Sequence, residues 1–501
     1  MSSDLDHHGE ISACQTALAG GLPRIRPLLG GREYSGAGGE IDIINPATGS
    51  PMGILEQASE GQVQATVHSA TQAFESGVWS RAPWAVRQRW LRSSAKSIRE
   101  HASELASLQC RESGLPLATV HRQIGGAALW FDYFADYLGV EAGRSYRQLG
   151  NATTMVLREP LGVCALFSPW NVPIGLSAIK LAPCLAAGNS AILKPSEFTP
   201  MAPRLLVDLL QACGLPEGVL SCVNGAGHVT GDALAKADGV DMISFTGGAT
   251  AGAAVATHAA RRHLPCVLEL GGKSATIIFD DADFDAAVEG ALQSAYGNNG
   301  EACLAGSRIL LQSGIAERFM QAFCERARRM RIGDPMDRNI EIGPMISAQH
   351  RDRVRSFFET CERDGDQHLC GGPDDAVPAS GYFVVPSAYR VASRRSRLWR
   401  EEVFGPIAAF DTFTEEADAA VLANDSNYGL VAYVWTRDFA RAMRISHAVR
   451  AGTLLVNTPM RRELNAPFGG YKASGVGREG GEHSWNNFTQ AKTIVLEHGV
   501  I

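Results

Sequence analysis

The stretch VCALFSPWNVPIGLSAIKLAPCLAAGNSAILKPSE, residues 163–197, decides the fold class of this chain. It holds a short apolar run from Val163 to Phe167, a helical segment, and a second short run from Ser190 to Leu193. Two further runs, Val219 to Val223 and Met242 to Phe245, continue the alternation. Strands that alternate with helices predict an α/β fold with a parallel sheet covered on both faces, in which ligands bind beyond the carboxyl ends of the strands.

Outward from this stretch, two segments of the N-terminal third are predicted to be helical. Val63, Val67, Ala70 and Phe74 recur at helical spacing, and residues 85–140 are also typical of helices. The first 23 residues have no such periodicity, which indicates a mobile tail.

A second α/β unit is predicted after Lys273. Ala275 to Phe279 form a candidate strand, Asp281 is a candidate N-cap, and apolar residues at helical spacing begin at Phe284. This helix leads into Gly297-Asn298-Asn299-Gly300, which Cys303 follows closely. Because no long linker divides the chain, we expect interwoven domains with indistinct boundaries.

Composition narrows the range of functions. The chain has 501 residues, a net charge of -7 and a pI near 6.0, so it has no basic surface of the kind that binds nucleic acids or membranes. Its 11 cysteines stand singly, without metal-ligand spacing, and no run of residues is long and apolar enough to span a bilayer. We therefore expect a cytoplasmic protein with free thiols, no metal and a small-molecule partner.

Three residues are candidates for catalysis. Cys303 lies among small residues beyond a helix end, where a backbone amide can approach an oxyanion; the alternative is a small buried hydrophobic residue. Glu269 is either a structurally paired carboxylate or a general base whose pKa is raised by burial. Asn171, at a strand end, is either a turn residue or an oxyanion donor.

Candidate nucleotide contacts lie at the neighbouring strand ends. Lys194 and Glu197 supply a cation and a carboxylate suited to phosphate and ribose, although both could be ordinary surface charges. The stretch Gly225 to Gly231 has one residue too many for a dinucleotide fingerprint, so we interpret it as a loop. The stretch Phe245 to Gly252 is favoured for a pyrophosphate, because it follows a strand and opens an Ala-rich helix.

Together these segments resemble the aldehyde dehydrogenase superfamily over nearly the whole chain, from Ile44 to about Thr489. The joint order of the motifs is much more specific than any single motif. The matching segments are Pro169-Trp170-Asn171, Gly188-Asn189, Lys194-Pro195-Ser196-Glu197, Phe245-Thr246-Gly247, Glu269-Leu270-Gly271-Gly272-Lys273, Cys303 with Ala305-Gly306-Ser307-Arg308, Glu401-Glu402-Val403-Phe404-Gly405-Pro406, and Pro467-Phe468-Gly469-Gly470.

The resemblance implies an interwoven architecture and an oligomer. A Rossmann-like coenzyme domain is expected from residues 24–142 and 160–272, and a second α/β domain, the catalytic one, from residues 273–470. A small β hairpin at 143–159, completed by a strand in 485–501, would pair subunits into a homodimer or homotetramer, whereas residues 1–23 would form the tail. Edges of that strand left unpaired would be prone to aggregation.

The resemblance also implies a mechanism. Cys303 would attack the aldehyde carbon, and the side-chain amide of Asn171 with the Cys303 backbone N–H would hold the oxyanion. Glu269 would activate the water that hydrolyses the resulting thioester. Glu479 would relay the proton, and Lys180 would assist.

The cofactor implied by the resemblance is NAD. It is preferred to NADP because Glu197 would bind the adenine ribose hydroxyls, where a 2′-phosphate would meet like charge; Lys194 can still tolerate that phosphate. The residues expected to contact the cofactor are Ser168, Trp170, Lys194, Glu197, Gly247, Gly248, Gly252, Leu270, Glu402 and Phe404.

The substrate is predicted less directly. Val172, Leu176, Arg462 and Phe468 are expected along its channel, and Arg462 could pair with a substrate carboxylate, be solvated, or pair with Glu463. The region after Arg461 is most similar to dehydrogenases of muconic semialdehydes.

Other observations keep alternatives open. Glu301 departs from the glutamine common in the family, and the aliphatic Val172, Leu176 and Ile179 also suit a medium aliphatic or aryl aldehyde. The alternatives are a broad-specificity or betaine-type aldehyde dehydrogenase, a non-catalytic family member serving as a structural or binding protein, and a cysteine hydrolase unconnected with redox chemistry.

Overall fold

The computed structural model describes residues 22–148, 150–373 and 375–498. Most of the predicted tail, residues 1–21, therefore lies outside the described residues. No helix within these ranges has both the length and the apolar composition needed to cross a bilayer.

The first large sheet has eight strands in the order β22-β12-β11-β8-β9-β10-β2-β3. Its five central strands are parallel, and the outer strands on each side are antiparallel to their neighbours. The strands are β2 (Leu28–Leu29), β3 (Arg32–Glu33), β8 (Val163–Ser168), β9 (Ser190–Pro195), β10 (Leu220–Cys222), β11 (Met242–Thr246), β12 (Cys266–Glu269) and β22 (Gly475–Val476).

Helices cover both faces of this sheet because its strands alternate their side chains between two cores. Cys164 and Leu166 of β8 pack into one core, whereas Val163, Ala165 and Phe167 pack into the other. The helices of the first face are α2 (Trp84–Glu100), α3 (Ala102–Ser113), α4 (Leu117–Tyr137), α5 (Pro173–Ala187) and α6 (Met201–Ala212), and those of the second are α1 (Glu60–Ser76), α7 (Asp232–Lys236) and α8 (Ala249–Arg261).

The second large sheet has seven strands in the order β15-β16-β17-β14-β13-β19-β20, all parallel except β15. Its strands are β13 (Ala275–Ile278), β14 (Arg308–Gln312), β15 (Gln367–Cys370), β16 (Ser387–Arg390), β17 (Ile407–Phe413), β19 (Val431–Trp435) and β20 (Thr453–Val456). The helices of this half are α9 (Phe284–Tyr296), α10 (Ala316–Arg328), α11 (Ala348–Asp364), α12 (Arg397–Arg400), α13 (Glu416–Asn424) and α14 (Phe439–Ala448).

Three small sheets complete the fold. A long antiparallel sheet has the order β23-β7-β6, so the predicted C-terminal strand does complete the hairpin. The remaining strands are β1 (Arg24–Ile25), β4 (Glu40–Asn45), β5 (Ser50–Glu56), β6 (Arg144–Tyr146), β7 (Ala152–Pro160), β18 (Tyr428–Gly429), β21 (Tyr471–Lys472) and β23 (Thr489–Glu497).

Three local expectations need correction. The N-cap of α9 is Asp283, whose carboxylate accepts a hydrogen bond from Ala286 N at 3.2 Å, whereas Asp281 accepts one from the Thr436 hydroxyl at 2.8 Å. Residues Gly227–Gly231 form a π-helical turn that continues into α7, not a loop. A short helix, α15 (Gly481–Asn487), precedes β23, so the final strand begins only at Thr489.

Near its C-terminus, the chain returns to the first sheet. Strand β22 pairs antiparallel with β12, with Gly475 opposite Glu269. The predicted domain division ends the catalytic domain, residues 273–470, before β22. It therefore assigns the residues of this strand to no domain. The two halves of the molecule are therefore interwoven beside Glu269.

Candidate active site

The carboxyl ends of β8, β11 and β12 meet at a cavity of about 250 Å³. This is the edge where a parallel sheet is expected to bind its ligand. The first half of the chain contributes Pro169, Trp170, Asn171, Leu176, Thr246, Gly247, Gly248, Glu269, Leu270 and Gly271, and the second half contributes Cys303, His350, Arg353, Glu402 and Phe404.

Cys303 is half-buried on a turn that follows α9. Its thiol packs beside Leu430 and Tyr433. Burial, together with the charges of Glu402 and Glu269, raises the pKa of the Cys303 thiol to about 12. The thiol is therefore protonated at neutral pH in the free protein, and a nucleophilic role requires a group that accepts its proton.

Asn171 lies on the loop between β8 and α5 and is buried. Its side-chain Nδ2 donates to the backbone carbonyl of Glu301 at 2.9 Å. This contact joins the loop after β8 to the residues just before Cys303. One proton of the Asn171 amide is thus held in place while the other is left for a ligand.

Glu269 is a buried carboxyl group at the end of β12, and neither of its oxygens has a hydrogen-bond partner among the described residues. Burial raises its pKa well above the ordinary value, and the neighbouring Glu479 raises it further, against the opposing charge of Lys180. A buried carboxyl group without partners that lines a cavity has the properties of a general base.

Lys180 and Glu479 form a buried ion pair behind Glu269. The Lys180 ammonium lies 2.7 Å from Glu479 Oε1 and also donates to the Ser244 hydroxyl at 2.7 Å. Lys180 comes from α5, and Glu479 is fixed by paired backbone hydrogen bonds with Phe468 at 2.6 and 2.8 Å. The charges of both residues act on the pKa of Glu269, so the ion pair lies near this carboxyl group.

The predicted ribose contacts also lie together. Lys194 Nζ is 3.5 Å from Glu197 Oε2, and Glu197 Oε1 accepts a hydrogen bond from Gly227 N at 3.1 Å. Although burial favours the neutral acid, the Lys194 charge and the Gly227 N–H hold the pKa of Glu197 below its usual value. The turn that begins at Gly227 thus helps to hold this carboxylate, which the sequence pattern did not predict.

The glycine-rich turn after β11 leaves room for a ligand. Gly248 is the N-cap of α8, no side chain caps this helix end, and a Cβ at Gly248 would meet no atom within 4 Å. At Gly252 a Cβ would come within 2.5 Å of the Leu270 side chain. The buried Thr246 hydroxyl beside this turn has no partner in the described part of the chain. Free helix N–H groups and a free hydroxyl suit an anion or a sugar.

Glu402 and Phe404 lie on a segment whose backbone carbonyls bind side chains of α11. Arg353 donates to the carbonyls of Glu402 and Val403 at 2.7 and 2.6 Å, and His350 Nε2 contacts the Phe404 carbonyl at 2.7 Å. Phe404 has a φ of 57°, which is unfavourable for a phenylalanine and needs such support. These two α11 side chains also line the cavity, and no sequence motif had identified them.

Aromatic packing and backbone contacts complete the side of the cavity that Glu402 and Phe404 line. The ring of Trp170 packs edge-on against Phe404, with centroids 5.1 Å apart. Glu402 Oε1 accepts a hydrogen bond from Gly272 N at 2.9 Å, and burial raises the pKa of Glu402 to about 7. Ser168 accepts a hydrogen bond from the Ser177 hydroxyl at 3.0 Å and is buried.

Arg462 stacks between two aromatic rings. Its guanidinium carbon lies 4.4 Å from the Phe468 ring centre and 5.3 Å from that of Trp130, a residue of α4 that sequence reasoning did not single out. Glu463 pairs with Arg461 at 3.9 Å, so Glu463 is not the partner of Arg462. Leu176 lines the cavity and Val172 is half-buried at the start of α5, whereas Ile179 packs into the core instead of the channel.

Comparison with known proteins identifies this arrangement. Residues 34–494 match the model of the aldehyde dehydrogenase family. The chain belongs to the aldehyde dehydrogenase family.

Among curated relatives, the chain is 39% identical over 446 residues to 5-carboxymethyl-2-hydroxymuconate semialdehyde dehydrogenase of Escherichia coli, covering 88% of this chain and 94% of the relative. It is 34% identical over 455 residues to betaine aldehyde dehydrogenase of Bacillus subtilis, covering 90% and 93%. A crystal structure of betaine aldehyde dehydrogenase from Staphylococcus aureus in complex with NAD+ has a TM-score of 0.94 at 33% identity and covers 99% of both chains.

Within this family, Glu301 stands where a glutamine was expected. Its side chain is fully buried, and Oε1 accepts a hydrogen bond from Ile346 N at 3.0 Å. Burial raises the pKa of Glu301 well above its ordinary value, which favours the protonated form of this carboxyl group. A neutral carboxylic acid accepts a hydrogen bond much as a glutamine does, which explains why the substitution is compatible with the fold.

Proposed function

We propose that this family member oxidises an aldehyde to a carboxylic acid with NAD at the cavity around Cys303, and that its substrate carries a carboxylate at a distance from the aldehyde group. The observation that carries the substrate proposal is the stacked guanidinium of Arg462. The NAD complex of the staphylococcal relative supports the choice of cofactor.

The described residues fit a dinucleotide. Lys194 and Glu197 would hold the adenine ribose, and the open N-terminus of α8 at Gly247 and Gly248 would face the pyrophosphate. Gly252 allows the close packing of α8 against Leu270. On the other side of the cavity, Ser168, Trp170, Thr246, Glu402 and Phe404 would surround the nicotinamide and its ribose.

Bound NAD supplies the hydride acceptor. Cys303, which is half-buried at the cavity, gives its thiol proton to solvent, and its sulfur bonds to the aldehyde carbon, so that the carbonyl oxygen becomes an oxyanion. The Asn171 amide and the Cys303 backbone N–H stabilise this oxyanion. Once the carbon has lost hydride, the sulfur carries a thioester, and one difficult oxidation has been divided into capture and acyl transfer.

Glu269 completes the cycle as a general base. It takes a proton from water, the water oxygen bonds to the acyl carbon, and the carbon–sulfur bond breaks to release the acid and Cys303. Glu479 and Lys180, which form an ion pair at 2.7 Å, lead the proton away from Glu269 through the buried polar cluster with Ser244.

Arg462 favours an anionic substrate over a cationic one. No carboxylate pairs with Arg462 within the described ranges, and Phe468 and Trp130 hold its planar group in place by cation–π contact. Its charge lies near enough to Cys303 and Glu269 to oppose the rise in their pKa values. A guanidinium so placed can form a charge-assisted pair with a substrate carboxylate.

A betaine-type substrate is the second candidate, because betaine aldehyde dehydrogenases are among the similar proteins. Such a substrate carries a quaternary ammonium, which aromatic faces bind by cation–π contact. In this chain Arg462 occupies the faces of Trp130 and Phe468, so a cationic substrate would meet like charge. The muconic-type semialdehyde therefore agrees better with the channel.

The test compares an aldehyde that carries a distal carboxylate with its uncharged analogue. We expect Arg462→Ala to reduce the preference for the carboxylated aldehyde, measured as the ratio of the two kcat/KM values, by roughly 10- to 150-fold, the equivalent of about 1.5–3 kcal/mol for a charge-assisted hydrogen bond. Both aldehydes also lose the effect of the Arg462 charge on Cys303 and Glu269, which cancels in this ratio. Arg461→Ala is the matched control, since Arg461 is an exposed neighbour that pairs with Glu463. Equal losses for both aldehydes, or a preference for betaine aldehyde in the unmodified enzyme, would refute the carboxylate proposal.

We further propose a homodimer or homotetramer that acts in the cytoplasm. Support for assembly comes from β23, an edge strand with Val495 and Leu496 about half exposed. Support for a reducing compartment comes from the ten cysteines in the described residues, all of which are free thiols.

A further inference from the structure

A chain of three side-chain amides runs from the first half of the molecule to the turn before Cys303. Gln109 Nε2 on α3 donates to Gln123 Oε1 on α4 at 2.6 Å, and Gln123 Nε2 donates to Asn298 Oδ1 at 2.8 Å. Asn298 Nδ2 then donates to two backbone carbonyls, those of Asn171 at 3.2 Å and Glu301 at 3.0 Å. Gln109 and Asn298 are buried, and Gln123 is half-buried.

Backbone groups at both ends of this row of amides determine which way each side-chain NH₂ group points. Because Asn298 faces two carbonyl oxygens, its NH₂ group must point toward them, and its oxygen must accept from Gln123. At the other end, Gln109 Oε1 accepts the backbone N–H of Ile174 at 3.4 Å, so its NH₂ group must point to Gln123. A reversed amide at any link would place like groups against each other.

The row of amides therefore starts and ends on one short segment, where the loop after β8 enters α5. The Asn171 carbonyl and the Ile174 N–H lie three residues apart, and both come after the side chain that is proposed to hold the oxyanion. A ring of contacts closes the arrangement, because Asn171 Nδ2 and Asn298 Nδ2 donate to the same carbonyl of Glu301. The orientation of the Asn171 amide is set by this ring.

The turn that carries Asn298 is itself held in an uncommon conformation. Asn298 and Asn299 have φ values of 59° and 58°, in the left-handed region. Asn299 donates to the carbonyls of Gly114 and Pro344, both at 3.1 Å, and accepts from Gly343 N at 2.8 Å. Such a conformation persists where the surrounding contacts determine it, which is common at sites that need preorganisation.

We propose that Gln123 and Gln109 are positioning residues that fix the Asn171 amide through Asn298, and so set the rate of thioester formation at Cys303. This inference rests on the proposed function. Neither glutamine lines the cavity, and both act through Asn298. Stabilisation of an oxyanion depends on a donor fixed in advance, so a donor that must reorient loses part of its effect.

The test uses Gln123→Glu, which keeps the size of the side chain but presents a carboxylate to Asn298 Oδ1. We expect the NADH burst with a saturating aldehyde to become roughly 10- to 100-fold slower, since removal of a whole oxyanion donor costs about 100- to 1,000-fold. Hydrolysis of p-nitrophenyl acetate, which needs no cofactor, should slow in parallel. The NADH dissociation constant from fluorescence titration should stay within about twofold, because Gln123 does not contact the cofactor residues.

Two further variants keep the result interpretable. Gln88→Glu is the matched control, because Gln88 on α2 also donates to a carbonyl, that of Ala135 at 2.9 Å, outside the network; it should retain the unmodified burst rate. Gln123→Met removes the same donor without adding charge and should slow the burst as well, even if Gln123→Glu does not fold.

An unchanged burst in Gln123→Met, together with a strong loss in Asn171→Ala, would overturn the positioning role and leave the proposed function intact. If Asn171→Ala itself kept the full burst rate, the oxyanion role of Asn171 and the inference built on it would both be overturned. A parallel rise in the NADH dissociation constant and fall in the burst would indicate general loss of structure, which also contradicts the proposal.

Discussion

At the scale of single residues, the environment of Glu269 determines when this carboxyl group can act as a base. Burial and Glu479 raise its pKa, whereas Lys180 lowers it. Only the carboxylate form accepts a proton from water, so deacylation should accelerate as pH rises through this raised pKa and slow as pH falls below it.

Two substitutions should therefore shift this pH profile in opposite directions. Glu479→Gln removes a negative neighbour and should move the rise of the deacylation rate to lower pH, whereas Lys180→Met removes a positive neighbour and should move it to higher pH. The measurement is the single-turnover deacylation rate from about pH 5 to about pH 10, a range that lies above the ordinary glutamate pKa of about 4.3. Shifts of the same sign would show that Glu269 is not the titrating base.

The residues that the sequence predicted are those whose chemistry is visible in a short motif. Cys303, Glu269 and Asn171 each stand at a strand or helix end, and they meet at one cavity. His350, Arg353, Gln123 and Trp130 could not be predicted in this way. Their partners are carbonyls, amides or rings that are distant in sequence, and no spacing rule relates them.

At the scale of elements, α11 determines the position of the Glu402 to Phe404 segment. Arg353→Met would remove two hydrogen bonds, to the Glu402 and Val403 carbonyls. We expect a rise of roughly 10-fold in the NADH dissociation constant, since each such bond contributes about 0.5–1.5 kcal/mol and the segment would lose order. Ester hydrolysis should change much less, because this segment acts on it only through the effect of Glu402 on the pKa of Cys303.

The control for this prediction lies on the same helix. Arg351 pairs with the exposed Asp352 at 2.8 Å, so Arg351→Met should leave NADH binding unchanged. Fluorescence titration of both variants measures the difference. Equal dissociation constants in Arg353→Met and Arg351→Met would disprove the holding role of α11.

Element types were easier to predict from the sequence than element ends. The alternation of strands and helices after Val163 is correct, because buried parallel strands are continuous apolar runs. Asp281 and Asp283 both satisfy the N-cap pattern of α9, and only the path of the chain decides that Asp283 caps the helix while Asp281 binds Thr436. The helical turn at Gly227 depends on its tertiary contact with Glu197, which no local pattern contains.

At the scale of the whole molecule, the sheet of β6, β7 and β23 presents an open edge. We expect the double substitution of Val495 and Leu496 by Asp to convert the proposed oligomer into monomers, because charges on this strand prevent edge pairing with another subunit. Sedimentation velocity measures the change. Gln490→Asp, on an exposed polar position of the same strand, is the control; a double variant that sediments like the control would contradict assembly through β23.

The two halves of the molecule are also interwoven. Strand β22 returns to pair with β12 beside Glu269, and Glu479 follows it by three residues. The sequence motifs predicted both residues but not the return of the chain, since pairing between strands so far apart leaves no local pattern.

The most direct test of the central claim, a thioester on Cys303 that Glu269 hydrolyses, is the burst of NADH from Glu269→Gln. With aldehyde and NAD in excess, we predict one NADH per subunit followed by a stall, and intact-mass spectrometry should find the acyl group on Cys303. Cys303→Ala should give no burst. Steady turnover by Glu269→Gln at the unmodified rate, or a burst without an adduct on Cys303, would contradict the account.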